Sequence, residues 1–145
     1  MALKSTGRTH WDGDLFDGSG ITSLDSGAAE PMRVTWKARS EDHGGLTSPE
    51  ELIAAAHASC YSMALSNTLA KNETPPTSID AEATATFVPG EGITAMDLVV
   101  TADVVDIDDE TFQELAETAK NGCPVSQALA GNVPISLVAT LSQAV

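Results

Sequence analysis

The feature that most constrains this chain is an abrupt change of period at residue 48. Upstream, residues 32–39 alternate, with Met32, Val34, Trp36 and Ala38 on one face and Arg33, Thr35, Lys37 and Arg39 on the other. That pattern predicts a half-buried strand with Arg39 at its end. Ser40 to Thr47, with Gly44-Gly45, reads as a loop. Ser48-Pro49-Glu50-Glu51 then opens a helix. Ser48 is an N-cap residue, Pro49 suits the first helical position, and Glu51 completes a capping box. The run continues through Leu52-Ile53-Ala54-Ala55-Ala56 to about Ala70, apolar or small on almost every face. Such a helix belongs in the middle of a core. Asn72 and Pro75-Pro76 end it.

The flanking segments supply strands and two shorter helices. Residues 7–30, rich in Gly, Asp and Ser, read as a hairpin or edge strands with turns at Asp17-Gly18 and Ser26-Gly27. Residues 78–88 and 93–105 form a hairpin through Pro89-Gly90-Glu91-Gly92. Asp108 caps a helix in which Ile107 and Phe112 are spaced as a hydrophobic staple, Leu115, Ala116 and Ala119 face inward, and Asn121-Gly122 is the stop. Pro124 makes Cys123 the N-cap of a short helix through Leu129, and residues 133–141 alternate as a last strand. The order β-β-β-α-β-β-α-(α)-β is an α+β pattern. With no internal repeat, residues 1–145 are expected to form one domain.

Composition narrows the function. The net charge is −14. A negative field repels phosphate backbones and anionic lipid surfaces, so neither nucleic acid nor membrane is an expected partner. Residues 1–20 carry His10, Trp11, Asp12, Asp14 and Asp17 and no apolar signal core. No stretch of about 18 apolar residues is present either. A cytoplasmic location is the expectation. There, two cysteines point to redox chemistry or to plain buried side chains, not to a secretory staple.

The two thiols differ in setting. Cys60 lies mid-helix among His57, Ser59 and Ser62, where the dipole gives little and burial raises the pKa. It becomes a nucleophile only if a cation reaches it. Cys123 begins a helix, where free N–H groups favour a thiolate. Local physics alone names Cys123 as the more acidic thiol, and leaves both assignments open. His57 and Cys60 share a helix face, but with His10, His43 and Cys123 they make no ligand spacing. His57 is therefore expected to be packed and hydrogen-bonded, with no metal.

Read as whole motifs, the two windows say more. The segment Ser48-Pro49-Glu50-Glu51-Leu52-Ile53-Ala54-Ala55-Ala56-His57-Ala58-Ser59-Cys60-Tyr61-Ser62-Met63-Ala64-Leu65-Ser66 resembles the reactive-cysteine helix of the OsmC/Ohr peroxidase family. Gly122-Cys123-Pro124-Val125-Ser126-Gln127-Ala128-Leu129 resembles that family's second-cysteine motif. His10-Trp11-Asp12-Gly13-Asp14 and Thr77-Ser78-Ile79-Asp80 extend the likeness. The wording around Cys60 and the Arg39-Ser40-Glu41 segment look closer to the OsmC branch, whereas Gly131-Asn132-Val133 is similar to Ohr.

The resemblance implies an OsmC-like fold: antiparallel sheets wrapped around two long central helices in an intertwined homodimer. It implies Cys60 as peroxidatic and Cys123 as resolving cysteine, Glu50 as catalytic glutamate, and Arg39 as the arginine that activates the thiolate, with Arg33 the weaker candidate. The substrates would be organic hydroperoxides and hydrogen peroxide, and the reductant an external, lipoyl-type dithiol. No cofactor is needed. Glu51 is occupied by the capping box, which leaves Glu50 for Arg39. Ten helical residues separate Glu50 from Cys60 by about 15 Å, so active sites shared across the dimer interface are expected. The alternative is a small-molecule or lipid-binding or redox-sensing use of the same fold. Arg39, Glu50, Cys60 and Cys123 occurring together favour the enzyme.

Overall fold

The computed structural model describes residues 1–143. They fall into two compact units, Met1–Leu52 and the chain from Ile53 onward. The first unit holds β1 (Gly7–Asp12), β2 (Ser19–Leu24), β3 (Met32–Val34), the short helix α1 (Trp36–Ser40), and the start of α2 (Pro49–Lys71). Its sheet runs β1-β2-β3, antiparallel throughout. Trp11 faces Gly20, and Gly20 faces Val34. A Cβ on Gly20 would lie 2.8 Å from the Trp11 ring and 3.0 Å from a Val34 methyl, so the glycine lets the two large side chains close over it.

Residues 32–39 depart from the predicted strand. The strand stops at Val34, and Thr35 turns the chain into α1. The Thr35 hydroxyl accepts a hydrogen bond from the Ala38 N–H at 3.1 Å, so a local side-chain contact competes successfully with the sheet ladder. Arg39 thus sits in the last turn of a helix. The start of α2 is as predicted, with Ser48 Oγ accepting from the Glu51 N–H at 3.1 Å. The Glu51 carboxylate, however, accepts from the Thr47 hydroxyl at 2.7 Å.

The second unit contains the rest of α2, β4 (Ser78–Val88), β5 (Gly92–Asp103), α3 (Asp109–Gly122), α4 (Pro124–Leu129) and β6 (Ile135–Ser142). His57, Tyr61, Leu65 and Leu69, four residues apart, form a fully buried stripe on α2. In the core, Tyr61, Leu65 and Leu69 join Leu98, Val100 and Ala102 of β5 and Phe112, Ala116 and Ala119 of α3. The Tyr61 hydroxyl donates to the Ala116 carbonyl at 3.0 Å, which satisfies the one polar atom of that buried ring. Asp108 caps α3 through the Thr111 N–H at 2.8 Å, and Ile107 and Phe112 both enter the core as predicted for the staple.

Two expectations are corrected here. The second sheet, β4-β5-β6, pairs β4 and β5 antiparallel but β5 and β6 parallel, because α3 and α4 form the crossover that brings the chain back in the same direction. And α2 is not buried all round within the chain. Ala55, Ala56, Ser59, Met63, Asn67 and Ala70 are exposed, Met63 at 71%, because the core covers one side only. Gly122 stays inside α3, and the Cys123 N–H closes that helix on the Ala119 carbonyl at 2.9 Å.

Candidate active site

Cys123 is the hinge between two helices. Its N–H ends α3, and its carbonyl accepts the Gln127 N–H of α4 at 2.9 Å. Pro124 occupies the first turn of α4, where no N–H is needed. Held from both sides, the Cys123 side chain is fully buried and reaches Cys60 on α2. No disulfide joins the two cysteines, and their sulfurs lie 2.9 Å apart. Cys60 is only partly buried. It opens on a hollow of about 510 Å³ lined by Met63, Ala64 and Thr68 of α2, Ala119 and Gly122 of α3, and Pro124.

The two thiols sit close enough to titrate as a pair. Burial pushes the Cys60 thiol up, and contact with Cys123 pushes it further, against a backbone hydrogen bond from Val125. Burial also opposes ionisation of Cys123. There the hydrogen bonds from Cys60, from the N–H and hydroxyl of Ser126, and from the Val125 N–H together outweigh it, so Cys123 is lowered. With both protons present Cys123 donates to Cys60.

His57 lies on the same stripe of α2, fully buried, as expected of a packed and hydrogen-bonded histidine. Its Nε2 is 2.7 Å from the Ser126 hydroxyl, while Nδ1 has no partner among the described residues. Burial lowers the imidazole pKa, which keeps the ring neutral. Sequence reasoning gave Ser126 no role. Its spacing three residues after Cys123, the reach of an N-terminal side chain back to its cap, is a signal that could have found it. No spacing signal links His57 to Ser126.

In the first unit, Arg39 and Glu50 meet as predicted. Arg39 Nη2 and Nε lie 2.9 Å and 3.0 Å from Glu50 Oε1, with Nε 3.3 Å from Oε2. The Glu50 carboxylate is buried, so the guanidinium offsets its desolvation. Arg39 also lines an apolar hollow of about 330 Å³ with Trp11, Val34, Trp36 and Leu52. Arg33, the weaker candidate, is exposed on β3.

An α+β fold in which a buried thiol is held against a half-open one defines a two-cysteine thiol protein. The chain belongs to the OsmC family: the model described as OsmC-like protein matches residues 41–138. The peroxiredoxin OsmC of Escherichia coli K12 is 40% identical over 138 residues, which span 93% of this chain and 96% of that protein. The organic hydroperoxide resistance protein OhrB of Bacillus subtilis 168 is 31% identical over 82% of this chain and 88% of its own length. Among solved structures, an organic hydroperoxide resistance protein OsmC from Legionella pneumophila has the same fold, with a TM-score of 0.72 and 20% identity, covering 97% of this chain and 98% of that one. The B. subtilis OhrB structure matches with a TM-score of 0.65 and 24% identity, over 94% and 98% of the two chains.

Proposed function

We propose that this protein is a cysteine-based peroxidase that reduces organic hydroperoxides and hydrogen peroxide. The observation that carries the reading is the Cys60–Cys123 pair at 2.9 Å, with one sulfur open to a hollow and the other buried. The names of the E. coli and B. subtilis relatives agree with it. The Cys60 thiolate attacks the peroxide: an S–O bond forms, the O–O bond breaks, and the departing alkoxide or hydroxide takes a proton. Cys60 is left as a sulfenic acid. The Cys123 thiolate then attacks the Cys60 sulfur and expels hydroxide, which leaves as water, and the pair becomes a disulfide. An external dithiol of the lipoyl type restores it.

Cys60 needs a cation to ionise, because its own surroundings raise its pKa. We assign that role to Arg39, with Glu50 fixing the guanidinium by the bonds they share. The hollow beside Arg39 is walled by Trp11, Val34, Trp36 and Leu52, which suits an alkyl hydroperoxide. Each buried CH₂ would add about 0.8 kcal/mol. We also propose that residues 1–145 act as one catalytic domain and that two copies associate. The support for association is the uncovered face of α2 around Ala55, Ser59 and Met63. No helix among the described residues is long and apolar enough to cross a membrane.

The reading is tested by consumption of cumene hydroperoxide and hydrogen peroxide with dihydrolipoamide. Wild type should turn over and Cys60→Ser should not. Full turnover by Cys60→Ser would assign the chemistry elsewhere.

A further inference from the structure

The chain has two tryptophans, Trp11 and Trp36, and both line the hollow of about 330 Å³ beside Arg39. Their rings are set before any ligand arrives. Trp11 Nε1 donates to the Gly13 carbonyl at 3.0 Å, and the ring lies on Gly20, where a Cβ would come within 2.8 Å of it. Trp36 stands edge-on to Phe16, with ring centroids 6.0 Å apart and planes at 88°. Leu15, Val34 and Leu52 complete the apolar wall. The hollow is at the small end of the range for ligand sites, about 300–1,000 Å³, which is room for one ring with short substituents. It is also electrically neutral. Arg39, one turn along α1 from Trp36, is the one charged residue of the lining, and Glu50 already takes its guanidinium through contacts of 2.9, 3.0 and 3.3 Å. The threonines of the wall are engaged as well. Thr9 and Thr22 bond each other at 2.8 Å, and the Thr35 hydroxyl accepts from the Ala38 N–H at 3.1 Å. The chain around this neutral hollow carries a net charge of −14.

We infer that this hollow is a charge-neutral subsite for an uncharged aryl group packed on Trp11 and Trp36, and that it discriminates against carboxylate-bearing hydroperoxides. The inference rests on the peroxidase reading and narrows its substrate class. A flat ring meets two preset indole rings with no rotors of its own to freeze, so contact is gained at little entropic cost. A flexible alkyl chain of the same area loses rotor freedom on binding. A carboxylate meets three obstacles. The acidic molecule repels it on approach. Entry strips it of water. Inside, it must compete for Arg39 with Glu50, a buried carboxylate whose own desolvation that guanidinium offsets. The hydroperoxide group is itself uncharged, so an aralkyl hydroperoxide avoids all three. Trp11 and Trp36 are thus specificity-determining residues for the organic half of the substrate.

Because both tryptophans line the hollow, the intrinsic fluorescence of the full-length protein reports on it without turnover. The probes are 2-phenyl-2-propanol, its para-carboxylate and tert-butanol. The ring alcohol should give a saturable change, and tert-butanol should bind about tenfold more weakly. The carboxylate should also bind about tenfold more weakly at low salt, with part of that gap closing as salt screens the acidic field. Leu15 is exposed at the rim and offers a gain of function. Leu15→Lys should raise the carboxylate to the affinity of the ring alcohol. Trp36→Leu, read through Trp11, should lose most of the preference for the ring over tert-butanol. In turnover with dihydrolipoamide, wild type should favour cumene hydroperoxide over its para-carboxylate by a similar factor of about ten. A carboxylate that binds wild type as well as the alcohol overturns the inference, as does a ring that binds no better than tert-butanol. No gain in Leu15→Lys, or a ring preference unchanged in Trp36→Leu, also counts against it. Ring binding without consumption of any hydroperoxide would instead count against the peroxidase reading and leave the subsite in place.

Discussion

The hydroxyl oxygen of Ser126 lies 2.7 Å from Nε2 of His57, although 69 residues separate them in sequence. This bond ties α4 to α2 in the interior. Because Cys123 is the first anchored residue of α4 and Cys60 is one turn along α2 from His57, the same bond sets the two sulfurs against each other.

Replacing the buried thiol should split the cycle. Cys123→Ser is expected to consume about one equivalent of hydroperoxide and then stall with Cys60 as sulfenic acid. Dimedone labelling of Cys60 detected by mass spectrometry checks this. Sustained turnover with dihydrolipoamide would mean that Cys123 has no resolving role.

Removing the guanidinium should cost both activity and stability. Arg39→Met leaves the Glu50 carboxylate buried without its partner. Breaking a buried pair from one side costs about 3 kcal/mol, and the partial exposure of Arg39 reduces that to about 1–2 kcal/mol. Urea unfolding measures the loss. Arg39→Met/Glu50→Gln, which removes the charge from both partners, should recover part of the stability but none of the peroxide turnover.

Gly20 offers a test of the first unit that does not involve chemistry. Gly20→Ala drives a methyl to within 2.8 Å of the Trp11 ring and should destabilise by about 1–3 kcal/mol, read as a lower urea midpoint. A neutral result would mean that Trp11 can move away freely.

Burial lowers the pKa of His57, so the unfolded chain binds its proton more readily than the folded one. The contribution of this ring to stability is complete above the unfolded value of about 6.5 and is lost as the pH falls towards the depressed folded value. Wild type should therefore lose stability from about pH 7 to about pH 5 more steeply than His57→Gln. Parallel curves for the two proteins in chemical denaturation would contradict this.

Met63 is 71% exposed in the middle of the uncovered face of α2. If a second copy covers that face, Met63→Glu places a charge in an apolar contact and should halve the mass measured by light scattering. An unchanged dimer would place the association surface elsewhere.

Much of this architecture was decided by local chemistry. Ser48, Asp108 and Pro124 set helix starts that a reader of the sequence can place, because caps act over three or four residues. The alternation in residues 78–88 set strand β4 in the same way. Motif resemblance implies the Arg39–Glu50 and Cys60–Cys123 pairings, and both pairs are in contact. Alternation misled at residues 35–39, where the Thr35 hydroxyl bond to the Ala38 N–H turned a strand pattern into a helix. The parallel pairing of β6 with β5 depends on the crossover through α3 and α4, which no short window of sequence records. The contact of Ser126 with His57, from a distant turn of α2, is likewise set by the fold alone. The order of residues set which side chains are available for thiol chemistry. Which sulfur is buried and which lies half-open followed from packing alone, because desolvation acts over ångströms and not along the chain.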